Sequence, residues 1–180
     1  MEIRPAEPGD LNTILHIYAN AREQMRLSGN PSQWGNSNPS PETVRKDIRQ
    51  KQAYVITHQN TICGVFVFII GPDPTYRLIE NGAWPNDEPY GTIHRIAGNG
   101  QAKGILCTAL SFCEKRIENI RIDTHADNRI MQHLLEKYGF KRCGYIYVED
   151  GTKRIAYQKN ARAKTTADNR QSRVPNTLFI

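Results

Sequence analysis

The stretch GNGQAKGILCTAL, residues 98–110, sets three glycines and a lysine directly before a helix with apolar periodicity. Glycine lets a strand turn sharply into a helix, and the exposed N–H groups at a helix N-terminus, reinforced by the helix dipole, bind anions such as phosphate. Two readings follow: a tight turn alone, or a phosphate site. A Rossmann fingerprint needs GxGxxG, and Gly98-Asn99-Gly100-Gln101-Ala102-Lys103 fails at the last glycine. A Walker A loop needs GxxxxGK followed by Ser or Thr, which these residues do not supply. The pattern therefore argues against both a dinucleotide and a nucleoside triphosphate. Cys63, Cys107, Cys113 and Cys143 form no CxxC pair and no His-Cys cluster at zinc spacing. The expectation is reduced, mostly packed thiols and no metal.

The elements that must position this turn can be read from periodicity. At 180 residues the chain suits one domain with a real hydrophobic core. EIRPA reads as a first strand, and Asp10 as the cap of a helix burying Leu11, Ile14, Leu15, Tyr18 and Ala21. RLSGNPSQWGNSNP, residues 26–39, is a loop carrying Trp34; Ser40 and Pro41 then open a short helix with Val44 and Ile48 inward. AYVIT and ICGVFVFII form a hairpin about HQNT, the second run apolar on both faces and so mid-sheet. A long irregular segment, residues 71–91, holds Tyr76, Trp84, Asp87 and Glu88, and long loops inside compact domains are usually functional. TIHRIA, the glycine turn and a helix burying Leu106, Ala109, Leu110 and Cys113 come next. IRIDTH is a strand; Asn128 or Asp127 caps a helix with Ile130, Met131, Leu134, Leu135 and Tyr138 inward, ended by Gly139; CGYIYV and RIAYQK close a hairpin about EDGT. Strands flank both of the last two helices, so a parallel crossover must sit inside an otherwise antiparallel sheet.

Charge and hydropathy bound the partners. Half of the +6 net charge lies in residues 160–180, where Arg162, Lys164, Arg170 and Arg173 oppose Asp168 alone. That tail lacks apolar periodicity until its last residues and is expected to be disordered; without aromatic interleaving or a long basic run it argues against nucleic-acid binding. MEIRPAEPGD has no apolar signal-peptide core, and CGVFVFII is far shorter than the roughly 20 residues that span a bilayer. A soluble, cytoplasmic chain without a membrane partner is expected. A homodimer is left open.

Gln101-Ala102-Lys103-Gly104-Ile105-Leu106 resembles the Q/R-x-x-G-x-G/A pyrophosphate loop of the GCN5-related N-acetyltransferase (GNAT) superfamily. NRIMQHLLEKYGF, residues 128–140, resembles that family's Asn-capped helix ending in Gly-Phe, and the element order over residues 1–159 is similar as well. HRIA at 94–97, DTH at 123–125 and the QW of Gln33 and Trp34 look like one subgroup. The resemblance implies an α/β (α+β mixed sheet) GNAT-like acyl-CoA N-acyltransferase fold, mainly antiparallel with a central parallel, splayed strand pair. It implies acetyl-CoA as cosubstrate in the gap between the HRIA and IRIDTH strands. Backbone of Ile96 and Ala97 would hold the pantetheine arm, and Gln101, Ala102, Lys103, Gly104, Ile105 and Leu106 the pyrophosphate, with Asn128 also assigned to the cofactor site. Two departures stand out: Leu106 occupies the loop's last Gly/Ala position, and Leu135 the position of the usual tyrosine acid. Tyr138, three residues on, reads as a core aromatic.

The reaction implied is direct attack of a primary amine on the thioester. Ammonium is not nucleophilic, so a base must take its proton, while backbone donors stabilise the oxyanion. His94 is the first candidate base and His125 the second, imidazole titrating near neutral pH; either could instead fix local structure through its ring nitrogens. The acceptor, a small-molecule or peptide amine, would meet Trp34 and Trp84. A non-catalytic acyl-CoA sensor is the alternative, encouraged by Leu135.

Overall fold

The computed structural model describes residues 1–161. Its elements are β1 (Glu2–Pro5), α1 (Leu11–Leu27), α2 (Pro41–Arg49), β2 (Ala53–His58), β3 (Thr61–Ile70), β4 (Tyr90–Gly98), α3 (Ile105–Glu114), β5 (Asn119–Thr124), α4 (Arg129–Lys137), β6 (Lys141–Tyr147) and β7 (Lys153–Asn160). The element order is the one read from the sequence. β7 runs through Asn160, one residue into the segment read as a tail, and the tail's charged residues lie outside the described residues.

The strands make one seven-stranded sheet in the order β1-β2-β3-β4-β5-β7-β6. Every neighbouring pair is antiparallel except β4 and β5. That parallel pair is joined at Tyr90↔Asn119, Gly91↔Ile120 and Thr92↔Arg121 and nowhere beyond, so the sheet opens past Thr92. Helices cover both faces. Ile14, Ile17, Tyr18, Val44 and Ile48 of α1 and α2 pack with Val55, Val65 and Val67. On the other face Leu106, Ala109, Leu110, Cys113 and Leu135 of α3 and α4 pack with Phe66, Phe68, Ile93, Ile120 and Ile122. β3 is buried on both sides, which is why its sequence is continuously apolar rather than alternating. At the β2–β3 turn Gln59 and Asn60 have φ of 50° and 61°, the left-handed pair that a two-residue hairpin with right-handed strand twist demands.

The helix ends follow their residues. Ser40 accepts the Thr43 N–H at 3.1 Å and Asn128 the Met131 N–H at 3.1 Å, each satisfying a donor that the first turn leaves unpaired. At the end of α4, Gly139 N–H bonds Glu136 O and Phe140 N–H bonds Leu135 O, a Schellman closure about the Gly-Phe pair. Three expectations are corrected. Asp10 caps nothing in α1; its carboxylate instead accepts from Arg4 and from the Glu7 N–H. Ile17, not Leu11 or Leu15, completes the buried stripe of α1, and Ile130 points outward at 60% exposure. Three of the four cysteines are buried, and Cys107 is exposed. Among the described residues no helix is long and apolar enough to cross a membrane.

Candidate active site

Two cavities open where β4 and β5 part. The first, about 270 Å³, is walled by Ile96, Ala97 and Gly98 at the end of β4, by Ala102 and Gly104 of the turn, by Ile105 and Leu106 at the start of α3, and by Met131 and Leu134 of α4 with Tyr138 just past its end. Gly104 is the residue before α3 and has φ 84°, a conformation that costs an L-residue about 1–2 kcal/mol. It turns the chain so that the first N–H groups of α3 have no carbonyl of their own helix to bond. Gly98 serves a different end: a Cβ there would meet the Ile105 side chain at 3.0 Å, so its bareness lets α3 seat against β4. Tight turn and exposed helix N-terminus are thus one construction. Leu106 is buried in the α3–α4 core, which removes the crowding its size threatened. Gln101 and Lys103 are exposed beside the turn; the Gln101 N–H is already taken by Asn99 Oδ1 at 3.0 Å. The wall is apolar along Ile96, Ala97, Met131 and Leu134 and ends at the backbone of Gly104 and Ile105, while Gln101 and Lys103 stand outside it. That sequence of surfaces is a channel with apolar walls that ends at a site for an anion.

The second cavity, about 710 Å³, shares Ile96 and Met131 with the first. Into it look Gln33 and Trp34 of the 26–39 loop, Asp47 of α2, Asp73 of the segment before β4, His94 and Arg95 of β4, Asp123 of β5, Glu149 and Asp150 of the β6–β7 turn, and Arg154 of β7. The junction is shaped by a bulge in β4: Val67 pairs with His94 but Val65 with Ala97, so β4 carries one extra residue. Arg95 within it has φ 50°, rare for a non-glycine residue. Its surroundings hold it there, because Tyr18 Oη donates to Arg95 O at 3.0 Å and the guanidinium makes a two-pronged contact with Asp47 at 2.9 and 2.8 Å. Burial pushes the Asp47 carboxyl up, and Arg95 opposes that.

His94, opposite Val67, stands on the α1/α2 face of the sheet. Its Nε2 lies 2.8 Å from Asp73 Oδ2, with both side chains largely buried. Asp73 Oδ1 accepts from the Thr75 N–H at 2.9 Å and its hydroxyl at 2.7 Å. Burial works to raise the Asp73 carboxyl, but the hydrogen bonds from His94 and Thr75 outweigh it and hold the group at about 2. The Tyr76 ring meets the imidazole edge-on at 5.9 Å, and Tyr76 Oη donates to Asp123 Oδ1 at 2.7 Å. Burial, and then Asp123, push the Tyr76 phenol well up, so it stays a donor. A histidine oriented by an ionised aspartate beside a cavity can take a proton and hold the resulting charge.

The structure brings together Ile96, Ala97, Ala102, Gly104, Ile105 and Leu106 at the first cavity, and His94 and Trp34 at the second. It does not bring His125 or Trp84 to either wall. His125 Nδ1 faces the Asp127 N–H at 3.2 Å and fixes the turn before α4. Trp84 stacks on Tyr76 at 5.5 Å and 9° and donates to Tyr76 O at 3.0 Å, so it props the irregular segment from behind. Asn128 lines the second cavity; its Nδ2 donates at 2.9 Å to Gln33 Oε1, which also accepts from Asn30 Nδ2 at 2.9 Å. Asp87 and Glu88 stand outside both walls. Tyr138, read as a core aromatic, faces the first cavity, and burial, followed by Cys107, raises its phenol. Sequence reasoning missed Asp73, Asp123 and Arg154. The D-x-T of Asp73 and Thr75 signalled a local turn, but nothing local ties Asp73 to His94.

A mixed sheet split at its one parallel pair, with a helix N-terminus at the split and an apolar channel beside it, is the build of an acyl-CoA N-acyltransferase. The family model for the acetyltransferase (GNAT) domain matches residues 1–141, and the chain belongs to this family. A GNAT-family acetyltransferase from Streptococcus agalactiae is similar at 30% identity and TM-score 0.80, over 88% of this chain and 94% of that one. A Staphylococcus aureus protein described as an acetyltransferase matches at 28% identity and TM-score 0.64, over 89% and 99%. A ribosomal-protein-alanine N-acetyltransferase from Brucella melitensis, at 17% identity and TM-score 0.59 over 89% and 99%, shares the fold. None of the curated proteins matches.

Proposed function

We propose that the protein is an acetyl-CoA-dependent N-acetyltransferase acting on a primary amine by direct attack. The observation that carries this reading is the junction of the two cavities at Ile96 and Met131, with the His94–Asp73 pair on the acceptor side of it. Acetyl-CoA would supply the acetyl group as an activated thioester, its pyrophosphate at the first turn of α3 and its arm along Ile96 and Ala97. Asp73 holds Nε2 of His94 and leaves Nδ1 to take the proton from the acceptor's ammonium. The ionised carboxylate then stabilises the imidazolium. The β4 edge beyond Thr92, freed from β5, supplies backbone donors for the developing oxyanion. Leu135 is fully buried and donates nothing, so the thiolate leaves without an acid at that position. That same leucine favours the second reading, a non-catalytic acyl-CoA sensor.

One experiment separates these readings: titration calorimetry with acetyl-CoA, CoA and ATP on the wild type and on Gly104→Glu, followed by thiol release with an amine panel. We expect micromolar CoA binding, lost in Gly104→Glu, no ATP binding, and turnover with an amine. His94→Gln should bind acetyl-CoA normally while kcat falls about 10²-fold or more. Binding without turnover on any amine would leave the sensor. A folded wild type that ignores CoA would refute both.

A further inference from the structure

Two pairs of charges on the wall of the second cavity are matched to each other, while Lys46, Glu149 and Asp150 of the same wall make no ion pair among the described residues at the cavity. Arg95 and Asp47 satisfy each other through two short bonds, and Asp73 is filled by His94 and Thr75. Arg154 is different. It is 6% exposed, yet of its five N–H donors one makes a good hydrogen bond, Nη2 to Gln33 O at 3.0 Å. Its Nε stands 3.7 Å from Asp123 Oδ2, and that carboxylate's other oxygen is engaged by Tyr76. Buried Nη1 has no partner among the described residues.

Arg121 shows how the same fold satisfies a buried arginine that has only a structural task. It is 4% exposed, bonds Gln158 Oε1 and Asn86 O, and lies between the rings of Trp84 and Tyr90 at 3.9 and 3.8 Å. Leaving a buried charged donor unmatched is costly, because it has lost water and gained nothing in exchange. Arg154 is also the one of the two that faces a cavity.

We propose that the acceptor is a small amine that carries its own carboxylate, an amino acid or a close analogue, and that Arg154 receives that carboxylate. A planar guanidinium with unpartnered N–H groups matches a carboxylate fork to fork. The cavity, about 710 Å³, is of a size for a small molecule. The carboxylate at Arg154 and the amine at His94 would then orient the acceptor from its two ends. A polyamine would set a second cation against Arg154 but beside Asp123, Glu149 and Asp150 of the same wall, so it is the competitor the test must include. The inference rests on the N-acetyltransferase reading for the fate of the amine, but not for the binding of the carboxylate.

The test is titration of the full chain, alone and with CoA, with the common amino acids, each beside its carboxamide, and with spermidine; thiol release from acetyl-CoA is then followed for the same compounds. At least one amino acid should bind, with its carboxamide weaker by about 10- to 100-fold in affinity and in kcat/KM. Arg154→Lys should raise KM for the amino acid about 10-fold at little cost in kcat, and Arg154→Met should erase the preference for acid over amide. If Arg154→Met fails to fold, the comparison of acid with amide on the wild type still decides. Equal binding of acid and amide, no amino-acid binding, or spermidine as the preferred ligand would overturn the inference. Amino-acid binding to a protein that ignores acetyl-CoA would refute the proposed reaction while upholding the carboxylate site.

Discussion

At Asp73 the geometry converts directly into a pH dependence. The carboxyl sits at about 2 in the folded chain against an ordinary 3.8, because three hydrogen bonds to its charged form outweigh the cost of burial. A group depressed in this way stabilises the fold at all pH values above its unfolded pKa, and the contribution disappears as pH falls from about 4 to about 2. The side chain is 12% exposed, so solvent screening is small and the contribution is roughly 2 kcal/mol. Asp73→Asn should therefore lower unfolding free energy near neutral pH by about 1–2 kcal/mol, with wild type and variant converging near about pH 2. Urea unfolding at both pH values measures this directly. A difference that persists undiminished in acid would show that shape or packing, rather than the charge, is what the asparagine loses. The same pairing fixes which ring nitrogen of His94 is committed to the protein, and, in the proposed reaction, which one would take the acceptor's proton.

The irregular segment between β3 and β4 is an element in its own right, since it carries Asp73 to the wall of the second cavity and seats Tyr76 buried behind it. It is tied down far from the chemistry: Glu80 and Tyr145 exchange N–H···O bonds of 2.8 and 2.9 Å, and Trp84 stacks behind Tyr76. Gly82 lies so close to β6 that a Cβ would overlap the Cys143 carbonyl oxygen. Gly82→Ala must push the segment off β6, at a cost of about 1–3 kcal/mol. The expected result is a raised acceptor KM with acetyl-CoA affinity unchanged, read by steady-state kinetics beside calorimetry. If acetyl-CoA affinity drops instead, the segment supports the cofactor side. This element also marks the limit of what its sequence revealed. Helices and strands were legible because a buried stripe enforces a period, as in Leu106, Ala109, Leu110 and Cys113. The QAKG turn was legible because its residues are neighbours. An isolated tryptophan in a loop looks the same in sequence whether it greets a ligand or, as Trp84 does against Tyr76, props a neighbour. The partners of His94 and Arg154 lie 21 and 121 residues away in the chain, and such meetings are made by the topology, not by any local pattern.

At the scale of the whole molecule the decisive feature is that the sheet stops being continuous after Thr92 and Arg121. β4 leans on β3 and α1, β5 on β7, and past the split the two halves are joined by the apolar core under α3 and, at the cavity junction, by side chains such as Ile96 and Met131. A ligand that fills the opening touches both halves and binds the folded state alone, since neither the bulge at Arg95 nor the turn at Gly104 exists in the unfolded chain. By mass action, acetyl-CoA at about 100 times its dissociation constant should add about 2.7 kcal/mol to stability. For a domain of this size each kcal/mol moves Tm by about 2–4 °C, so a rise of about 5–10 °C is expected. Gly104→Glu should melt somewhat below the wild type, because its left-handed backbone no longer suits its residue, and acetyl-CoA should leave its Tm where it was. Scanning fluorimetry with and without acetyl-CoA reads both quantities in one series. A ligand-induced rise that survives in Gly104→Glu would place the binding energy elsewhere than at the α3 N-terminus, and the opening between β4 and β5 would lose its assigned role.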